Sequence, residues 1–185
     1  MNKVLCTFML VMGCMMTIHA QSVSKENISH ITLTELQKNA QKYLGKTICF
    51  SGKTVHVCSR SGMKLFMQIP GSKATFQVNA TRKLGKFPRT CNNHIVEIVG
   101  TVNESRIDEA YLQNWEKQIK NQTEEHHGEA QSGCESEKAA MQETANTSAK
   151  RIADFRKRIA IRAKKEGKKY LSFYNVTAKS YNIAK

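Results

Sequence analysis

Beyond its first twenty residues the sequence has no run of the roughly 18 apolar residues that a membrane helix needs, which excludes a helical membrane span from the rest of the chain. It also lacks G-x-S-x-G, H-E-x-x-H, a P-loop and a dinucleotide fingerprint, so no recognised catalytic apparatus is present and the chain reads as a non-enzyme. A Cys58 and His94 nucleophilic pair can be drawn, but its spacing identifies no chemistry. Cysteine is sparse. Two of the six fall in the first twenty residues; Cys49, Cys58, Cys91 and Cys134 are too few for a disulfide scaffold in this length, and their pairing is open. Acidic residues are scarce as well, 15 against 29 Lys and Arg, for a net charge of +14.

That charge is unevenly spread: +1 over residues 1–20, +9 over 21–103, −6 over 104–147 and +10 over 148–185. Basic surfaces favour anionic partners, through a field that salt screens. Residues 1–20, with Lys3, an apolar run from Val4 to Met16 and Ala20, follow the charged, apolar and small-residue order of a secretory signal peptide. A periplasmic or secreted chain is therefore expected. The rival reading is a lipoprotein anchor at Cys14, where Met12 fits poorly.

Residues 21–46 read as a polar lead and a helix. Thr32 is placed to cap it with Glu35 three residues on, Leu33, Leu36, Ala40, Tyr43 and Leu44 share a face, and Gly45 ends it. Residues 47–103 then carry four short β-like segments. "KTICFSGKTVHVC" alternates and is bent or bulged at Gly52; "GMKLFMQI", "ATFQVN" and "HIVEIVGTV" follow, the last after a basic loop. A bent strand, a hairpin, a third strand, a connection and a fourth strand give the opening order of an OB-fold barrel. The missing fifth strand is "KYLSFYNVTAKSYNI", within 169–185. The expected fold is mainly β with an α insertion: a five-stranded OB-fold barrel, an N-terminal helix, and an antiparallel helical hairpin inserted at 104–168 between strands four and five.

In that insertion Ile107, Tyr111, Trp115 and Ile119 form one apolar stripe, on a helix Ser105 could cap. Ile152, Phe155, Ile159 and Ala163 form the other, ending before Gly167. The segment 121–147 between them is polar and without periodicity, and reads as a linker. The most basic stretch, 150–169, taken alone suggests a nucleic-acid or membrane helix; beside the acidic segment, a solvated face laced by ion pairs is the alternative.

Alternation assigns faces. Met63, Leu65, Met67, Ile69, Ala74, Phe76 and Val78 should fill the barrel, leaving Lys64, Phe66, Gln68, Thr75, Gln77 and Asn79 outside, on the strands with which OB folds bind oligonucleotides or oligosaccharides. Arg60, Lys64, Phe66, Gln68 and Gln77 are the candidate ligand-binding face. Phe66 either stacks a base or sugar or packs beneath the insertion. With Val55 and Val57 taken as core, Thr54, His56 and Cys58 turn outward, Cys58 opposite Gly62 and His56 opposite Lys64. His56, Cys58, Cys91 and His94 make a Cys2His2 set that suits tetrahedral zinc if the strands converge, against a Cys58 to Cys91 disulfide or unlinked side chains. His126, His127 and Cys134 are a second, looser set, or part of a merely polar linker.

"GKTVHVCSRSGMKLFM", the basic connection, "HIVEIVGTV" and "YLSFYNVTAKSYNI" together resemble a family of secreted bacterial OB-fold proteins. Their barrels are similar to the tRNA-anticodon-binding type and carry a helical insertion before the last strand. The most specific part is His56, Val57, Cys58, Ser61, Gly62 and Lys64. The resemblance implies the fold; nucleic-acid binding is a label inherited from the barrel. Three functions compete on this reading: a non-enzymatic module gripping single-stranded nucleic acid or an acidic glycan, an envelope metal-binding or thiol-redox protein, and a partner-binding role for the helical hairpin.

Overall fold

The computed structural model describes residues 28–125, 135–145 and 147–184. The expected signal segment 1–20 with Cys14, and His126, His127 and Cys134, lie outside the described residues. The elements are β1 (Ser29–His30), α1 (Leu33–Asn39), β2 (Thr47–Val57), β3 (Lys64–Gln68), β4 (Thr75–Ala80), β5 (Ile95–Ile107), α2 (Glu109–Glu125), α3 (Glu135–Ala140), α4 (Ser148–Glu166) and β6 (Leu171–Ile183).

One sheet runs β1-β2-β3-β4-β6-β5, and β5 pairs back onto β2. Strands β2 to β6 thus form a closed five-stranded barrel. The short β1 lies outside it, parallel to β2 at Ile48 and Cys49. The β4–β6 pairing is parallel and the other four barrel pairings are antiparallel, so this is an OB-fold barrel with helical insertions.

The barrel closes because β2 serves two partners in succession. Thr47 to Lys53 pair with β5, and Thr54 to Val57 pair with β3. Gly52 sits at the changeover, where a Cβ would come 2.9 Å from Met67 Sδ and 3.0 Å from Leu33 Cδ2. The expected bend is therefore a place of close approach, while the bulge itself falls between Thr54 and His56.

That bulge sets two residues of β2 against one of β3 and corrects the sequence reading. Thr54 lies opposite Met67, His56 opposite Phe66 and Val57 opposite Leu65, with Val55 the extra residue. Thr54 consequently points inward, fully buried, and its hydroxyl finds no hydrogen-bond partner among the described residues. Lys64 instead faces Cys58, whose backbone N–H donates to the Lys64 carbonyl at 2.9 Å.

The interior is filled as alternation predicts, with Leu65, Met67, Ile69, Phe76 and Val78 meeting Ile48, Phe50, Val96, Ile98, Val102 and Val176. Burying one such side chain contributes about 1.5–3 kcal/mol. Leu33 and Leu36 join this core from α1. That helix is capped as expected, Thr32 Oγ1 accepting from the Glu35 N–H at 3.1 Å. Phe87 and Cys91 join it from the β4–β5 connection.

The insertion is shifted along the chain, to 108–170 rather than 104–168, because pairing with β6 from Leu171 onward keeps β5 extended to Ile107. Ser105 is thus a strand residue, its Oγ accepting from Asn175 Nδ2, and Asp108 caps α2 by accepting from the Tyr111 N–H at 2.9 Å. Starting the helix later rotates its apolar stripe: Leu112 is fully buried while Tyr111 is 48% exposed. Leu112, Trp115 and Ile119 share a second core with Ile107, Ile152, Phe155, Ile159 and Phe173. The segment read as linker contains α3, which packs on β4 and β3.

Candidate ligand-binding surface

On the outer side of β3 and β4 the five nominated side chains meet different fates. Lys64 pairs with Glu137 of α3. Phe66 is fully buried, stacked obliquely on His56 with ring centroids 5.9 Å apart, and has no face left for a base or sugar. Its burial follows from α3, whose Ser136 carbonyl accepts from Thr75 Oγ1 at 2.7 Å on the same outer side. Gln68 donates to the carbonyls of Ser72 and Ala74 and so staples its own β3–β4 turn. Gln77 donates to Asn79 Oδ1 at 2.7 Å. Asn79 continues to Asn175, and Asn175 to Ser105, each at 3.0 Å. This ladder of side-chain amides across β4, β6 and β5 was not visible in the sequence, because its rungs come from segments far apart in the chain. Arg60 alone of the five stands on a loop, exposed, in the β2–β3 hairpin.

The His/Cys set does not assemble. Cys91 is fully buried in the barrel core, and burial raises its pKa. His94 is exposed on the β4–β5 connection, its Nδ1 3.0 Å from the Asn92 carbonyl. Among the described residues no three His, Cys, Asp or Glu side chains are placed to hold a metal, so the candidate zinc ligands His56, Cys58, Cys91 and His94 form no centre. Cys49, Cys58 and Cys91 are free thiols, so the Cys58 to Cys91 disulfide is not formed. Cys58 differs from the other two. It is half-buried, and a hydrogen bond from Ser61, assisted by the nearby Lys64 charge, lowers its pKa. Cys49 is buried, and desolvation followed by the neighbouring Glu97 raises its pKa.

A second feature, missed as a site by strand-based reasoning, lies in the loops. From Lys53 to His94 the chain carries eight Lys and Arg and no Asp or Glu. The hairpin 58–63 and the connection 81–94 meet at one end of the barrel. The Phe87 N–H donates to the Gly62 carbonyl at 2.9 Å, and the Lys86 side chain lies where a Cβ on Gly62 would come within 3.0 Å. Phe87 anchors the connection inside the barrel, edge-on to Tyr181 at 5.4 Å, while Arg82, Lys83, Lys86 and Arg89 remain exposed around it. Together with Arg60 they make a basic rim on the two touching loops. The signal was present in the sequence as a run of cations with no Asp or Glu among them; the hairpin contact that gathers it was not.

Cavities among the described residues also lie elsewhere. One of about 480 Å³ is lined by Lys38, Phe76, Arg158, Arg162 and Tyr174. Its guanidiniums are already engaged, Arg162 with the Tyr170 carbonyl at 2.9 Å and Arg158 with the Met141 carbonyl at 3.2 Å. A more apolar groove of about 760 Å³ runs beside β2 past Ile31, Leu33, Phe50 and Pro70.

The architecture defines an OB-fold barrel with an inserted helical unit and a basic loop rim. No family model matches the chain, and no curated protein does. Among solved structures it is similar to a protein described as an aspartyl-tRNA synthetase of Leishmania major Friedlin, at 17% identity and a TM-score of 0.29 over 46% of this chain and 18% of that one. It is also similar to an aspartyl-tRNA synthetase of Entamoeba histolytica, at 16% identity and a TM-score of 0.34 over 89% of this chain and 41% of that one. The chain thus spans less than half the length of either. The barrel assignment rests on the strand pairing itself.

Proposed function

We propose that this chain is a non-enzymatic, exported OB-fold protein that binds a single-stranded polyanion, with single-stranded nucleic acid as the ligand. The observation that carries this reading is the basic rim: Arg60, Arg82, Lys83, Lys86 and Arg89 on two touching loops, within a stretch free of carboxylates. An OB fold binds oligonucleotides or oligosaccharides along its second and third strands and the loop between its first two, here the 58–63 hairpin that the 81–94 connection touches, and cations there act by releasing counterions from the polymer. Export is supported by the charged, apolar and small-residue order of residues 1–20.

The test is a titration with oligo-dT and with heparin at about 50 and about 200 mM salt, using the natural chain and an Arg82→Gln, Lys83→Gln, Lys86→Gln, Arg89→Gln variant. Oligo-dT affinity should fall with salt, and the variant should bind more weakly, with a log–log slope shallower by about 0.7 for each phosphate that it no longer neutralises. Heparin binding without oligo-dT binding would move the ligand to an acidic glycan. Absence of both at the lower salt removes the proposal.

A thiol-redox reading has one supporting observation, the half-buried Cys58 whose pKa is lowered by its hydrogen bond with Ser61. Against it, Cys49 and Cys91 are buried with raised pKa values and suit structural thiols better than a redox partner.

A further inference from the structure

The face on which an OB fold would be expected to hold its ligand is covered by part of the same chain. α3 lies on the outer side of β3 and β4 through the Lys64–Glu137 pair and the Thr75 to Ser136 hydrogen bond. Lys64 is the one Lys or Arg in these two strands, and the group set on it is a carboxylate. Beneath is Phe66, an aromatic at an outer strand position, fully buried yet part of neither apolar core. A cation with an aromatic beside it is the pair of groups with which single-strand binders take a phosphate and a base.

Residues 135–140 are attached by polar contacts, while just beyond them Met141 packs against the second core and Glu143 pairs with the buried Arg151, so the far end of α3 stays tethered when 135–140 lift away. None of its residues joins either apolar core, whereas α2 contributes Leu112 and α4 contributes Ile152 and Phe155. Its ion pair is partly solvated, with Lys64 37% and Glu137 20% exposed, and pairs of this kind contribute only about 0–1 kcal/mol. The covered face also adjoins the basic rim: Lys64 stands at the base of the 58–63 hairpin, bonded to Cys58, and that hairpin contacts the 81–94 connection.

We infer that α3 is an acidic surrogate occupying a cryptic part of the binding site, and that single-stranded nucleic acid gathered by the rim displaces it from Lys64 and Phe66. This rests on the reading of the rim as a nucleic-acid surface and adds a second contact zone to it. A phosphate takes the place of the Glu137 carboxylate, and Phe66 becomes free to stack a base.

The experiment uses oligo-dT of about fifteen nucleotides, within the span of an OB site. Affinity is measured for the full chain and for Glu137→Gln, Glu135→Gln and Lys64→Gln/Glu137→Gln, and amide hydrogen exchange over 135–140 is followed with and without oligonucleotide. Glu135 is the control, an α3 carboxylate 89% exposed and paired within its own helix to Lys138. Glu137→Gln should bind about two- to fivefold tighter, the fold-change that corresponds to one partly solvated ion pair. Glu135→Gln should be unchanged, the Glu137→Gln gain should vanish once Lys64 is also replaced, and the α3 amides should exchange faster in the complex. Equal gains from Glu135→Gln and Glu137→Gln, a gain that survives loss of Lys64, or α3 amides that stay protected while oligonucleotide is bound would each overturn the displacement and leave the rim as the binding surface. Failure of every variant to bind removes both.

Discussion

Two glycines in the barrel wall differ in what surrounds them. A Cβ at Gly100 would stand 2.5 Å from both the Thr177 carbonyl oxygen and Val176 Cγ1, at the bulge between β5 and β6. At Gly52 the obstacles are the ends of flexible side chains, Met67 Sδ and Leu33 Cδ2. Backbone cannot move aside as a thioether can. Gly100→Ala is therefore expected to cost about 3 kcal/mol or more and Gly52→Ala about 1 kcal/mol, measured as the loss of unfolding free energy in urea; similar costs at the two positions would contradict this account of the wall. Gly52 was legible in the sequence as an interruption of an alternating strand. The residues after it were not, since one extra residue at Val55 turns Thr54 inward, and a bulge leaves no mark on a pattern of β-branched residues. The same shift moved His56 from Lys64 to Phe66, whereas the metal set failed for another reason, Cys91 lying inside the barrel core and His94 outside on the connection.

At the scale of elements, the apolar stripes of the inserted helices were readable, and the phase of one was wrong. α2 starts after Ile107 because pairing with β6 outweighs the helical preference of the preceding residues, and no local pattern records a partner that lies sixty-odd positions on. α3 was read as linker for a related reason: six residues are too few to show a period, and its position is fixed by groups on β3, β4 and α4. One of these anchors is the pair between Arg151 and Glu143, just beyond α3. Their side chains are only 5% and 2% exposed, and the Arg151 guanidinium lies 4.7 Å from the centre of the Trp115 ring. Glu143→Ala leaves a buried guanidinium without its carboxylate and should destabilise the protein by about 3–5 kcal/mol. Glu166→Ala, which breaks the exposed pair with Arg162 on the same side of α4, should cost under about 1 kcal/mol. Thermal or denaturant unfolding of the two variants checks the contrast, and equal losses would mean that burial is not what makes the Arg151 pair strong. The basic stretch of α4 thus divides: Arg151 and Arg156 pair with carboxylates of the acidic segment, Arg158 and Arg162 with Asp154 and Glu166 of α4 itself.

At the scale of the whole molecule, strand order was the most legible feature, because β-branched alternation announces strands and a late strand after a helical insertion leaves few ways to close a barrel. The functional surface was less so. It depends on which loops touch and on what covers a face, and both are settled by contacts between distant segments. The closing strand also sets a requirement for integrity. β6 pairs with β5 along its full length and with β4 at Val176 to Ala178. A chain lacking residues 171–184 is expected to lose cooperative thermal unfolding, observed by circular dichroism; a sharp transition in that truncation would show that β2 to β5 are stable without it.

The place of β6 in the chain also bears on how the molecule is made. Until its residues have emerged, β4 and β5 each present an unpaired edge, the kind of surface through which nascent sheets join one another. α2 and α4 share a core with the strands of both Ile107 and Leu171, so their early collapse would bring β6 to its neighbours and shorten the time during which those edges stay open. On this view the insertion is a folding aid as much as an ornament on the barrel.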